Sequence, residues 1–220
     1  RHTRFKLDWS SDVCSSDLSG FQTSEQAEDT LGCPTLAFLP KVTRDQVDPA
    51  TGDLGIVAHI VAKPFSRFAE GVRTIRTGVL LSNLDQPPRV LMCVSTVPGE
   101  GKSTLAGSLA ASGAQAGKKV LLIDGDLRNP STSNRFNLGK RPGLVELLSG
   151  TASVSETFVA PGNMPFTILP AGHHTTNPTD VVASQKMAQM LRSLSQEFDL
   201  IIIDCPPRSE EHTSELQSHL

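Results

Sequence analysis

Residues 90–104 read VLMCVSTVPGEGKST: an apolar run, a glycine turn, then Lys-Ser-Thr opening the alanine-rich stretch 105–116. A short continuous apolar run closed by Pro and Gly is the pattern of a fully buried strand, and the stretch after it has helical composition. A strand that feeds a helix through a glycine loop leaves backbone N–H groups pointing inward with little side-chain bulk around them. That is the cradle a polyphosphate needs. Lys102 adds a cation for the outer phosphates, and the Ser103 hydroxyl is suited to a divalent metal.

Two further stretches repeat the strand ending. Residues 120–130, VLLIDGDLRNP, place Asp124 and Asp126 at the tip of an apolar run with Arg128 just beyond, and residues 198–204, FDLIIID, end on Asp204. Unbroken apolar strands alternating with helical segments predict an α/β fold, a mostly parallel sheet with helices on both faces. In such a sheet ligands bind outside the carboxyl ends of the strands, so the three motifs are expected to meet in one crevice. The loop resembles a Walker A sequence, with Thr96 where the first glycine of GxxxxGK[ST] would stand. Pro98, Gly99, Glu100, Gly101, Lys102, Ser103 and Thr104 are then the expected nucleotide contacts. Asp204 resembles the Walker B carboxylate, and with Ser103 and Asp124 it is an expected Mg²⁺ ligand. Asp124 and Asp126 both suit proton acceptance from an attacking hydroxyl. ATP and Mg²⁺ are the expected ligands.

Outside these motifs, residues 22–30 suit a helix, 35–38 a short strand, and 45–55 a loop rich in Asp, Pro and Gly. Residues 65–81 carry Phe68, Val72, Ile75 and Val79 at helical spacing, with Glu70, Arg73 and Arg76 elsewhere, and predict an amphipathic helix. Further strands are expected at 166–169 and 200–204, with a helix over 185–196.

Composition narrows the function classes. The chain has 220 residues, with 20 Lys+Arg against 23 Asp+Glu, a balance that argues against general nucleic-acid binding. No apolar run approaches the roughly 20 residues that cross a bilayer, and residues 1–18 lack a signal-peptide core, so a soluble intracellular polypeptide is expected. Cys14, Cys33, Cys93 and Cys205 have no metal-binding spacing, and Cys93 and Cys205 are expected as small buried side chains. The adjacent His173 and His174 lack companion ligands for a metal. There is no Tyr, and the single Trp is Trp9.

The two ends read differently from the rest. Residues 8–18, DWSSDVCSSDL, and 208–219, RSEEHTSELQSH, look like translations of one sequencing-library adapter read on opposite strands. Residues 1–18 and 208–220 are therefore expected to lie outside the natural protein, as disordered tails on a C-terminally truncated fold.

The trio PGEGKST, LLIDGDLR and FDLIIIDCPP resembles the bacterial tyrosine kinases, or BY-kinases, which are built on a P-loop NTPase-like scaffold. The resemblance extends over most of 19–207, including KPFSRFAEGVRTIRTGVLLSN, PGLVELLSG and LPAGHHTTNPTDVVAS. It implies a P-loop kinase domain over 65–207 behind a juxtamembrane segment, 19–64. Lys102, Asp124, Asp126 and Arg128 would be catalytic, and Glu70, Arg73 and Arg76 would mediate homo-oligomeric ring assembly. It further implies a parent protein at the cytoplasmic face of the bacterial inner membrane that regulates exopolysaccharide polymerisation and export. Substrates would be protein tyrosines, including a neighbour's C-terminal tyrosine cluster, which this chain lacks. Two alternatives stay open: a partition or septum-positioning ATPase, which would usually carry a lysine where Val97 stands, and an inactive ATP-binding assembly module.

Overall fold

Side-chain alternation along two buried strands organises the molecule. In the computed structural model, which describes residues 23–48, 54–162 and 164–207, the strands are β1 (Val90–Cys93), β2 (Val120–Asp124), β3 (Thr167–Leu169) and β4 (Leu200–Asp204). They form one sheet in the order β1-β4-β2-β3, and every pair is parallel. The expected α/β fold with a parallel sheet is thus present. Among the described residues the helices are α1 (Ser24–Leu31), α2 (Gly55–Ala62), α3 (Arg67–Leu81), α4 (Lys102–Gln115), α5 (Ser131–Arg135), α6 (Leu144–Ser149), α7 (Val154–Thr157), α8 (Pro178–Val182) and α9 (Gln185–Glu197).

Because successive strand residues point to opposite faces, β2 and β4 supply two cores. Val120, Leu122, Leu200 and Ile202 pack with Val57 and Ile60 of α2, Phe68, Val72 and Ile75 of α3, and Ala106 and Leu109 of α4. Leu121, Ile123, Ile201 and Ile203 pack on the other side with Leu144 and Leu148 of α6 and with Met187, Leu191 and Leu194 of α9. Both strands are buried along their whole length, which explains why neither shows polar alternation in sequence. Small residues bring α4 close to its neighbours. A Cβ on Gly107 would lie 2.9 Å from Val57 Cγ2, and one on Gly113 would lie 3.1 Å from side-chain atoms of Leu200 and Val120.

The expected helix over 65–81 forms as α3, capped by the Ser66 side chain, with Phe68, Val72, Ile75 and Val79 buried. Cys93 and Cys205 are buried, and burial pushes the Cys93 thiol up to about 12. Several expectations need correction. Residues 35–38 form no strand. A strand needs a ladder partner for its backbone, and this segment instead runs along α3. There Leu39 and Leu36 settle against Gly71 and Gly78, where a Cβ would come within 2.7 and 3.0 Å of them. Thr35 N donates to Glu28 Oε1 at 2.9 Å and ties the segment to α1. Helix α2 was not anticipated, and its Val57 and Ile60 share the core of α3 and α4, so the sequence division after residue 64 crosses a single packed unit. The short helices α5 to α8 were not anticipated either. Trp9, Cys14, the adapter-like ends 1–18 and 208–220, and residues 49–53 of the expected loop lie outside the described residues. No helix among the described residues is long and apolar enough to cross a membrane.

The segment after β3 is pinned to α6. Leu144 N donates to Pro170 O at 2.8 Å and Val145 N to Ala171 O at 3.1 Å. The approach requires glycine, since a Cβ on Gly143 would sit 2.1 Å from Pro170 O. Glu146 completes the junction: Oε2 accepts from Gly143 N at 2.7 Å, and Oε1 lies 3.1 Å from His173 N and 2.9 Å from His173 Nδ1. Burial works against the Glu146 carboxylate, but these donors outweigh it and hold its pKa below the usual range. Gly143→Ala should therefore lower the unfolding free energy by about 3 kcal/mol in urea titrations, the upper range of overpacking costs. A carboxylate whose folded pKa is depressed contributes stability above its unfolded pKa and loses it as pH falls. Glu146→Gln should accordingly be less stable than wild type at neutral pH, with the gap narrowing as pH drops below about 5, measured by denaturation across pH.

Candidate active site

Asp124 and Asp204 end neighbouring strands and are register partners. Each continues the parity that faces α4, so both carboxyl groups project toward the helix that begins at the glycine loop. Both are fully buried. Gly125 lets the chain cross close to β4: its N–H donates to Asp204 O at 2.8 Å, and a Cβ there would lie 3.1 Å from that oxygen. The crossing turns Asp126 back over the strand tip, where its N–H donates to Asp124 Oδ1 at 3.3 Å.

The loop itself depends on glycine conformations. Gly99 and Gly101 both have φ of 86°, a left-handed geometry that side chains disfavour, and Gly101 is the N-cap of α4. Glu100 organises the loop from within, its Oε2 accepting from Thr96 N at 2.7 Å and from Val97 N at 3.3 Å. Lys102 Nζ turns into the crevice, 3.1 Å from Asp126 Oδ2, 3.4 Å from Asp204 Oδ1 and 3.4 Å from Ser103 Oγ. Side-chain exposure is 9% for Lys102, 2% for Asp126 and 0% for Asp204, so the two carboxylates are withdrawn from water and the ammonium keeps a small exposed part. Burial alone would lower the Lys102 pKa, but the facing carboxylates of Asp204 and Asp126 raise it.

One ammonium against three buried carboxylates leaves the crevice short of positive charge. Burial, reinforced by Asp204, pushes Asp124 up to about 7 despite two hydrogen bonds from Ser133, and burial raises Asp204 as well. Among the described residues no three His, Cys, Asp or Glu side chains are arranged to hold a metal unaided. The donors do suit a cation that takes one or two carboxylates and a hydroxyl and fills its remaining positions with water or phosphate oxygen, the habit of Mg²⁺. Asp126 Oδ2, Asp204 Oδ1 and Ser103 Oγ already surround one positive charge, the Lys102 ammonium.

Around this centre lies a layer that the sequence reading missed. Thr132 Oγ1 donates to Asp204 Oδ2 at 2.8 Å. Ser133 donates to Asp124 Oδ2 twice, through N and Oγ, each at 2.7 Å, and its Oγ accepts from Ala171 N at 2.9 Å. Arg135 Nη1 donates to Thr104 Oγ1 at 3.0 Å. All three residues belong to α5, and the only sequence signal was a run of small polar residues, STSN, following the acidic motif. Arg128, by contrast, is exposed at the rim beyond Leu127.

Glu70, Arg73 and Arg76 share α3 but not one environment. Arg73 pairs with Glu70 and also donates to Pro64 O at 3.0 Å, staying at the surface. Arg76 turns inward, donating to Ser112 O and, at 3.0 Å, to Ser112 Oγ near the C-terminal end of α4. Burial, with Arg73 nearby, lowers its pKa. A guanidinium on a carbonyl of the last helical turns, one that Ala116 N also reaches at 3.3 Å, complements the helix dipole. Arg76→Ala should thus cost about 1.5–3 kcal/mol in chemical denaturation, as for hydrogen bonds to charged groups. Arg73→Ala should cost less than about 1 kcal/mol, as for an exposed pair.

Residues 89–215 match the AAA domain family. The tyrosine-protein kinase YwqD of Bacillus subtilis (strain 168) is 36% identical over 147 residues, covering 67% of this chain and 62% of that protein. The putative tyrosine-protein kinase CapB of Staphylococcus aureus is 34% identical over 149 residues, covering 68% of this chain and 65% of that one. The chain thus spans less than two thirds of the length of either relative. Among solved structures, the kinase domain of the Escherichia coli tyrosine kinase ETK superposes with a TM-score of 0.73 at 28% identity, over 86% of this chain and 74% of that one. The chimerical protein CapA2B2 gives 0.76 at 29% identity, over 89% and 79%. The chain belongs to the AAA domain family, and its P-loop fold is that of the bacterial tyrosine kinase domains.

Proposed function

We propose that the chain is the catalytic part of a protein-tyrosine kinase that transfers the γ-phosphoryl group of ATP to tyrosine hydroxyls. The observation that carries this reading is the Lys102 ammonium held between Asp126 Oδ2 and Asp204 Oδ1 where the glycine loop opens α4. The names of YwqD and CapB agree with it. In this reading Gly99, Gly101 and the amides of the loop from Pro98 to Thr104 receive the phosphates, and Lys102 stabilises charge on the transferring group. Ser103 and Asp204, with Asp124 behind them, would hold Mg²⁺, which when bound would supply neutralisation of phosphate charge. The tyrosine oxygen bonds to the γ-phosphorus while the bond to the β–γ bridging oxygen breaks; ADP departs and the hydroxyl proton passes to a carboxylate. We assign that role to Asp126, whose Oδ2 lies on the Lys102 ammonium in the crevice, whereas Asp124 Oδ2 carries two hydrogen bonds from Ser133 and its Oδ1 one from Asp126 N.

The parent protein is proposed to act in exopolysaccharide or capsule synthesis at the cytoplasmic face of the inner membrane. It would do so as a homo-oligomeric ring with Glu70 and Arg73 on the exposed side of α3. Residues 65–207 would carry the kinase chemistry, and 19–64, whose α2 packs into the same core, would lead into it as the juxtamembrane approach.

The chain contains no tyrosine, so phosphotyrosine can appear only on an added substrate. With γ-labelled ATP and a tyrosine-containing acidic peptide, label should accumulate on the peptide. Lys102→Met should lower kcat/KM by at least about 100-fold, as when a preorganised charge-stabilising donor is removed. Release of label only as inorganic phosphate would favour a hydrolytic ATPase and sink the kinase reading.

A further inference from the structure

The two oxygens of each crevice carboxylate have divided tasks. Asp204 gives Oδ2 to the Thr132 hydroxyl and turns Oδ1 to the Lys102 ammonium. Asp126 gives Oδ1 to Asn129 N at 3.0 Å and turns Oδ2 to the same ammonium. Asp124 accepts from Asp126 N through Oδ1 and from Ser133 N and Oγ through Oδ2. Thr132 and Ser133 are adjacent and essentially buried, at 2% and 1% exposure. The Ser133 hydroxyl is donor to Asp124 and acceptor from Ala171 N, which links the carboxylate to the segment after β3.

A buried carboxylate without such a donor is free to rotate and share both oxygens with a cation. One oxygen anchored by a rigid hydroxyl fixes which lone pairs remain, in the way outer hydrogen bonds orient metal-binding side chains elsewhere. We propose that Thr132 and Ser133 are positioning residues of the phosphoryl-transfer centre, Thr132 holding Asp204 so that one oxygen faces a divalent cation and Ser133 holding Asp124 as the support beneath it. The assignment rests on the kinase reading above. It places the device on α5, a five-residue helix whose Arg135 also reaches Thr104, so one element touches both strand-end carboxylates and the first turn of α4.

Thr132→Val keeps the shape and removes only the donor. Its test is binding of a fluorescent ATP analogue to the full chain, titrated with Mg²⁺ and repeated in EDTA. The expected result is a rise of about tenfold in the Mg²⁺ concentration for half-saturation, within the range for lost outer-shell contacts. Affinity in EDTA should be unchanged, and Thr132→Ser should behave as wild type. If Thr132→Val does not fold, Thr132→Ala is read the same way. Ser133→Ala should lower kcat for peptide phosphorylation about tenfold with KM for peptide retained. A Thr132→Val titration that overlays wild type overturns the positioning role and leaves the kinase reading standing, as does an equal loss in EDTA. Wild-type protein that binds no nucleotide in Mg²⁺ overturns the kinase reading and this inference with it.

Discussion

Burying Asp124, Asp126 and Asp204 together is the constraint on which the rest of the structure depends. Carboxylates so enclosed are costly unless each is paired or hydrogen-bonded. The chain meets the cost with one ammonium, three backbone amides and two hydroxyls. Every donor comes from an element whose position the fold must hold: Lys102 from the start of α4, Asp126 N and Asn129 N from the turn after β2, and Thr132 and Ser133 from α5. The register of β2 against β4 then sets everything else, because it alone puts two carboxylates side by side on the α4 face. A slip of one residue would move one of them to the opposite core.

Holding α4 in place is correspondingly a matter of backbone proximity more than bulk. Its interior is built from Ala, Gly and Ser, so the sheet on one side and α2 on the other approach closely enough to leave little play at Lys102. Arg76 acts at the far end, tying α3 to a carbonyl near the last turn of α4. The face of α3 that carries Glu70 and Arg73 is thereby joined through a single rigid helix to the glycine loop. Any partner bound on that face would meet the nucleotide loop across one helix–helix contact.

The legible parts of the sequence were those whose signal is local and unbroken. β1, β2 and β4 are runs that no helix period fits, α3 has a clear apolar stripe, and the Gly99 to Thr104 loop carries its conformation in its glycines. The strand tips were legible because ligands bind outside the carboxyl ends of parallel strands, where the Asp that ends VLLID or LIIID can face the loop after β1. What was missed lacks a period. GIVAHIVA of α2 is apolar nearly all round, and eight residues are too few to separate helix from strand by pattern. Residues 35–38 have strand composition, yet their partners are two glycines on α3, Gly71 and Gly78, more than thirty residues away. Thr132 and Ser133 matter because of where two strands end, not because of any neighbour in sequence. Arg128 attracted notice through its motif, but it is Arg135, seven residues later at the end of α5, whose guanidinium reaches Thr104.

The loop and the crevice are each satisfied by charges of the chain's own. The Glu100 carboxylate accepts from the amides of Thr96 and Val97, and the Lys102 ammonium sits on Asp126 and Asp204. On the kinase reading an incoming MgATP is therefore an exchange and not an addition. The amides of Thr96 and Val97 would receive phosphate oxygen in place of Glu100, and Ser103 and Asp204 would hold a divalent ion in place of the Lys102 ammonium, leaving the ammonium for the phosphates. Each exchange replaces one ionic contact by another of the same sign, so neither leaves a buried charge unpaired. Neither requires the strands to move. The groups that must move are two side chains at the mouth of a rigid sheet. The Asp204 and Asp124 oxygens that stay put are those already bonded to Thr132 and Ser133.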